Sequence, residues 1–183
     1  MQSPPRLVHY QYCYCEESVY RFLDALAPDQ TRTRFALFVS NEAKTVHFQC
    51  HRGGGGKKGV VWDYHVVAVV REGDRCFVFD HSIEDPDAWP LSLADWQQRC
   101  FDTNRVPKRY WPIFRIVPFA VMQQHFSSDR SHMAQSSAPV PPYPPIVRDE
   151  TVGSNLFSHF VEMKPSSGYG HVKALKLSAS DFV

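Results

Sequence analysis

Three residue types that together perform acyl transfer lie far apart in this chain: a cysteine at the start of a helical segment, a histidine inside an apolar strand, and an aspartate closing a second strand. A nucleophilic thiol needs a general base, and the base needs a partner that fixes its tautomer. Cys15 supplies the thiol. His65, within Trp62-Asp63-Tyr64-His65-Val66-Val67-Ala68-Val69-Val70, supplies an imidazole where an unpartnered polar ring would be costly to bury. Asp80, ending Phe77-Val78-Phe79-Asp80, needs a hydrogen-bond donor for the same reason. A structural His–Asp pair with no thiol chemistry would leave the same pattern, and spacing alone keeps both readings open.

The segments around these residues indicate how they would be positioned. Glu16 to Ala27 has Val19, Phe22, Leu23 and Leu26 on one helical face and is stopped by Pro28. Cys15 therefore sits at the helix N-terminus, where free backbone N–H groups and the macrodipole favour a thiolate. Glu16 and Glu17 oppose that effect. Phe35–Val39 reads as a buried strand, and Val60–Val70 and Cys76–Asp80 as two more, joined by the turn-like Arg71-Glu72-Gly73-Asp74. A two-residue loop at Glu72-Gly73 predicts that His65 faces Asp80 directly, with Cβ atoms about 5 Å apart on one face. Leu93–Phe101 is expected to be a helix with Trp96 and Cys100 on one face, and Asn155–Met163 a shorter one. Trp111–Phe119, interrupted by Pro112 and Pro118, is expected near a sheet edge. The stretch Thr45–Gly59 reads as a surface connection, with a Gly-rich loop at 52–59, and the Pro/Ser-rich 134–145 as an extended surface segment.

Composition narrows the function classes. With 183 residues, 43% hydrophobic and 21% charged, one domain over 1–183 is expected. The net charge is +1 and no Lys/Arg run exceeds Lys57-Lys58, which argues against a nucleic-acid track or a polybasic membrane anchor. No stretch has the length of a membrane span, and the first residues lack an apolar signal segment. A cytoplasmic location, or a nuclear one, is the expectation, with a monomer as the assembly. Five cysteines are read as reduced thiols. A zinc site is disfavoured, because Cys13 and Cys15 are one residue apart and His47–Cys50 has no matching second pair.

The pentapeptide Trp62-Asp63-Tyr64-His65-Val66 resembles the signature of the WDYHV family, the protein N-terminal glutamine amidohydrolases. Cys13-Tyr14-Cys15-Glu16-Glu17, Ser40-Asn41-Glu42, Phe77–Asp80, Ser128–Met133 and Pro141–Pro144 resemble further family segments in the same order. The resemblance fades at the glycine run 53–56 and after Gly170. It implies an α+β fold with a papain/transglutaminase-like core, a largely antiparallel sheet flanked by helices as an α-β-α sandwich. It also implies Cys15 as nucleophile, His65 as base and Asp80 as orienting acid, with no metal or other cofactor. The substrates would be proteins or peptides that begin with Gln. Reading a free α-ammonium needs a carboxylate or several carbonyls. Glu17 and Asp63 are candidates for that contact, and Ser40 and Asn41 for orienting the amide. Each also has an ordinary reading as a helix-start acid, a strand-surface acid or a loop polar group.

Overall fold

The computed structural model describes residues 10–27, 29–54, 59–83, 89–148 and 153–183. Its centre is a six-stranded sheet whose hydrogen-bonded neighbours all run antiparallel. The strands are β1 (Arg32–Ser40), β2 (Val46–Phe48), β3 (Val60–Trp62), β4 (His65–Glu72), β5 (Arg75–Phe79), β6 (Leu91–Ser92), β7 (Ile113–Pro118) and β8 (His171–Ala174). The sheet order is β6-β5-β4-β1-β7-β8, and β2 pairs with β3 in a separate ribbon. The helices are α1 (Cys15–Ala25), α2 (Leu93–Cys100) and α3 (Phe119–His125).

Period-two alternation divides the core. Ala36, Phe38, Val66, Ala68 and Val70 pack with α1, α3 and the π-helical turn Leu156–Val161 on one face. Phe35, Leu37, Val39, Val67, Val69 and Val78 pack with α2 and the C-terminal Phe182 on the other. Both faces of β1 and β4 are covered, so their apolar runs are nearly continuous rather than alternating with polar residues. The result is an α+β sandwich. Among the described residues no helix is long and apolar enough to cross a membrane.

Several expectations need correction. The expected single strand from Val60 to Val70 breaks at Asp63-Tyr64, because the Asp63 carboxylate accepts the Tyr64 N–H at 2.9 Å and its carbonyl accepts the Ser40 hydroxyl at 2.6 Å. The first part pairs with β2 and the second joins the main sheet. The surface connection from Thr45 accordingly contains a strand, with Val46 and Phe48 buried, and residues 52–54 form a 3-10 turn. Residues 55–58 of the Gly-rich segment and the Pro28 helix stop lie outside the described residues.

The hairpin loop is Gly73-Asp74 rather than Glu72-Gly73, with Glu72 paired to Arg75 and Ala68 to Phe79. Gly73 takes φ +58°, the left-handed backbone such a tight loop demands. The register is thus displaced by two from the expected one. An even displacement keeps every side chain on its expected face, so His65 and Asp80 remain on one face as diagonal neighbours.

β7 is not at the edge. Pro112 precedes it and Pro118 ends it, so neither interrupts pairing with β1 on one side and β8 on the other. The edge comes instead from the tail after Gly170, which supplies β8. Cys50 and Cys100, expected as reduced thiols, are joined as a disulfide linking the segment after β2 to the end of α2. The segment 134–145 runs over the surface in irregular conformation, anchored where Arg21 donates to the Pro144 carbonyl and Arg130 to that of Tyr143.

Candidate active site

Where β4 begins, the sheet end is open to a cavity of about 260 Å³, whose walls include Cys15, Asp63, Tyr64, His65 and His132. Cys15 is the first residue of α1. α1 lies on one face of β4 and His65 points to the other, and Cys15 and His65 both line the cavity at the strand's end. The chain enters the helix through Cys13, whose φ of +67° turns the backbone sharply one residue before the N-cap Tyr14.

The His65 and Asp80 side chains are both buried and are joined at 2.9 Å from Nε2 to Oδ1. Asp80 is surrounded by donors. Oδ1 also accepts the Ser82 N–H at 3.0 Å, and Oδ2 accepts the indole N–H of Trp96 at 2.9 Å. Its backbone carbonyl accepts the Trp89 indole at 2.8 Å. Burial favours the protonated acid. The nearby His65 ring and the hydrogen bonds from His65, Trp96 and Ser82 outweigh that, holding the carboxyl well below the usual carboxylate range. A carboxylate only accepts, so His65 Nε2 carries the proton and Nδ1 is left as the basic nitrogen. The rings of Phe48 and His51 stand edge-on to the imidazole at 5.4 and 5.0 Å and restrict its rotation. Burial and the neighbouring His65 push His51 down to about 3, so it stays neutral.

The Cys15 thiol is pushed well up, first by burial and then by the charge of Glu16, with the Val66 backbone N–H acting in the opposite direction. Its Sγ lies 3.6 Å from Glu16 Oε2. The helix-start advantage anticipated for a thiolate is therefore outweighed by burial and by Glu16.

The comparisons with known proteins bear on this arrangement. The family model described as N-terminal glutamine amidase matches residues 10–182. The chain belongs to the N-terminal glutamine amidase family. It is 32% identical to the protein N-terminal glutamine amidohydrolase of Danio rerio, over 95% of this chain and 87% of that protein. It is 33% identical to that of Homo sapiens, over 94% and 87%, and 32% identical to that of Drosophila pseudoobscura pseudoobscura, over 95% and 86%. These relatives are hydrolases that act on an amide.

Of the other residues expected at the site, Asp63 lines the cavity and is exposed. Glu17 does not line it. Its carboxylate is fully buried in a two-point ion pair with Arg130, with both N–O distances 2.7 Å. Ser40 is tied to the Asp63 carbonyl, so it shapes the strand break. The Asn41 amide donates to the carbonyls of Thr45, Arg109 and Trp111, a loop clamp outside the cavity. The contacts of Trp96 with Asp80, and of Tyr64 and His132 with Glu16, were not foreseen from the sequence. The helical pattern puts Trp96 on one face with Cys100, but nothing in the sequence connects its N–H to Asp80. Tyr64 and His132 lie inside segments resembling the family's, which was the only available signal.

Proposed function

We propose that this chain deamidates the side chain of N-terminal glutamine on proteins or peptides, yielding N-terminal glutamate and ammonia, with Cys15 as nucleophile, His65 as acid–base and Asp80 as its orienting partner. The observation that carries the reading is the buried His65–Asp80 pair opening onto the same cavity as Cys15, in a chain of the N-terminal glutamine amidase family.

In this reading His65 Nδ1 takes the Cys15 thiol proton as sulfur attacks the carboxamide carbon. The C–N bond then breaks, and the same proton leaves on ammonia, giving a thioester. Water next gives a proton to Nδ1 and adds to the thioester. The C–S bond breaks and the proton returns to sulfur, releasing the carboxylic acid. Asp80 stays ionised and stabilises the imidazolium formed in each step. The Cys15 backbone N–H, at the helix start, is the proposed oxyanion donor, and removal of one such donor typically costs about 3–4 kcal/mol. Asp63 at the cavity wall is the candidate for direct contact with the substrate amine.

Incubation with a Gln-initiated peptide should release one ammonia per peptide with a mass gain of about one dalton. Unchanged mass, with cleavage or transfer to an added amine instead, would move the reading to a cysteine peptidase or a transglutaminase-like acyl transferase using the same three residues.

A further inference from the structure

Glu16 is fully buried directly behind the cavity wall, and the mechanism above does not use it. Its Oε2 accepts the Tyr64 hydroxyl at 3.1 Å and lies 3.6 Å from Cys15 Sγ. Its Oε1 has no hydrogen-bond partner, and the nearest basic atom is His132 Nε2 at 3.6 Å. His132 Nε2 is in turn 3.4 Å from the same Tyr64 hydroxyl. Cys15, Tyr64 and His132 all line the cavity, so the carboxylate stands one side chain behind its surface at three points.

The charges facing Glu16 do not balance. On its own helix are the Cys15 thiol and Glu17. Ahead of β4 are Asp63 and Tyr64, and from the segment after α3 come Arg130 and His132. Arg130 is committed to Glu17 by two hydrogen bonds. His132 is pushed down by burial, against the pull of Asp63, Glu17 and Asp129, and so is neutral near pH 7. Asp80 is matched with His65. Among the described residues, neither Glu16 nor Asp63 makes an ion pair with a lysine or arginine; the Lys44 ammonium at this wall lies 5.0 Å from the ring centre of Phe157, which lines the cavity. A buried carboxylate so placed is complementary to a small cation.

The proposed substrate carries one at a suitable span. The α-nitrogen of an N-terminal Gln is four bonds from its amide carbon, about 5 Å in the extended form. With that carbon about 3–3.5 Å from Sγ, the ammonium falls within reach of the wall that Glu16 supports. The Tyr64 hydroxyl, donating its proton to Glu16, keeps lone pairs that can accept from the ammonium.

We propose that Glu16 is a positioning and specificity residue: it is the buried counter-charge for the substrate's α-ammonium, acting through Tyr64 beside Asp63, and the arriving ammonium relieves its repulsion of a developing Cys15 thiolate. This rests on the deamidase reading. It adds that a free amine promotes the reaction as well as binding, so a substrate lacking it loses kcat together with KM.

The test compares a Gln-initiated peptide with the same peptide bearing a 4-carbamoylbutanoyl group, which keeps the amide and lacks only the amine. Wild type should favour the amine-bearing peptide by at least about a hundredfold in kcat/KM, the loss expected for an unmatched buried charge. Glu16→Gln should bring the ratio to within about fivefold, with much of the loss in kcat. It should also remove a rise in kcat/KM through about pH 7, where burial places this carboxyl's titration. Tyr64→Phe should lie between the two, and Glu16→Asp should restore part of the preference. A Glu16→Gln ratio like that of wild type overturns the proposal, as does a collapse seen only in Asp63→Asn. If Glu16→Gln does not fold by circular dichroism, an unchanged ratio in Tyr64→Phe overturns it. A wild type inactive on both peptides sinks the deamidase reading and this inference with it, whereas an active wild type with an unaltered variant ratio sinks the inference alone.

Discussion

Two cysteines separated by one residue line the same cavity, and their surroundings distinguish them. Cys15 begins α1 and has the Val66 N–H directed at its sulfur, whereas Cys13 lies outside the helix on a left-handed backbone. Burial raises both thiols, so an intrinsically low thiol pKa does not distinguish them; the helix-start position of Cys15 and the Val66 N–H at its sulfur do. Cys15→Ala is expected to abolish ammonia release while leaving the circular dichroism unchanged, and Cys13→Ala to keep substantial activity. The reverse order in a steady-state assay would reassign the nucleophile. Asp80 makes a sharper case. Its two oxygens accept from three donors, so Asp80→Asn must turn an amide NH2 towards at least one N–H. The variant should lose kcat by orders of magnitude through the wrong His65 tautomer. It should also lose about 1–3 kcal/mol of stability from the unsatisfied donors, read in urea denaturation. Full activity with lowered stability would make the pair structural only.

At the scale of elements, the hairpin shows what patterning could and could not settle. The helix after Cys15, strands β1, β4 and β5, and helix α2 were legible because apolar periodicity and turn residues are local signals. The loop position was not, since Glu72-Gly73 and Gly73-Asp74 both place Gly73 in a two-residue turn. The His65–Asp80 face survived because the two registers differ by an even number. What stayed illegible was long-range: the Trp96 hydrogen bond to Asp80, the approach of His132 to Glu16, the Cys50–Cys100 bond and the edge strand formed by the tail. None leaves a period in the sequence. Two glycines with similar φ illustrate the difference between local and tertiary constraint. A Cβ at Gly73 (φ +58°) meets nothing within 4 Å, whereas one at Gly170 (φ +74°) would lie 2.0 Å from the Ile116 carbonyl oxygen. Gly73→Ala should cost only the backbone term, about 1–2 kcal/mol. Its kcat should stay near that of wild type. Gly170→Ala adds a clash in the β7–β8 region and should cost about 2–5 kcal/mol. Equal midpoints for the two variants in urea would contradict this account.

Across the whole molecule, the buried ionisable groups pull stability in opposite directions with pH. His51 and His81 are each pushed down to about 3, first by burial. The native state thus binds fewer protons than the unfolded chain at these positions, and their contribution to stability is lost as pH falls below about 6.5. Asp80, held low, likewise contributes stability above the ordinary carboxylate range that disappears as pH falls through its folded value. Glu16 has the opposite sign. Burial, reinforced by Glu17 and opposed by its own backbone N–H, Tyr64 and Cys15, carries it up to about 7. Its penalty is absent below about 4.5, grows as pH rises and is complete above about 7, because only the folded protein resists ionising it. A shift of that size corresponds to about 3 kcal/mol. Glu16→Gln removes the penalty while keeping an acceptor for Tyr64. Its Tm should therefore exceed that of wild type at pH 8, and the difference should shrink towards zero near pH 4.5. The two histidines and Asp80 are present in both proteins and cancel from the comparison. A Tm gain that is the same at both pH values would show that Glu16 is not the group responsible, while a loss at pH 8 would mean its carboxylate already has a counter-charge in the free enzyme. A gain confined to high pH would mean that the fold tolerates an uncompensated charge beside Cys15, a cost that binding of an ammonium-bearing substrate would offset.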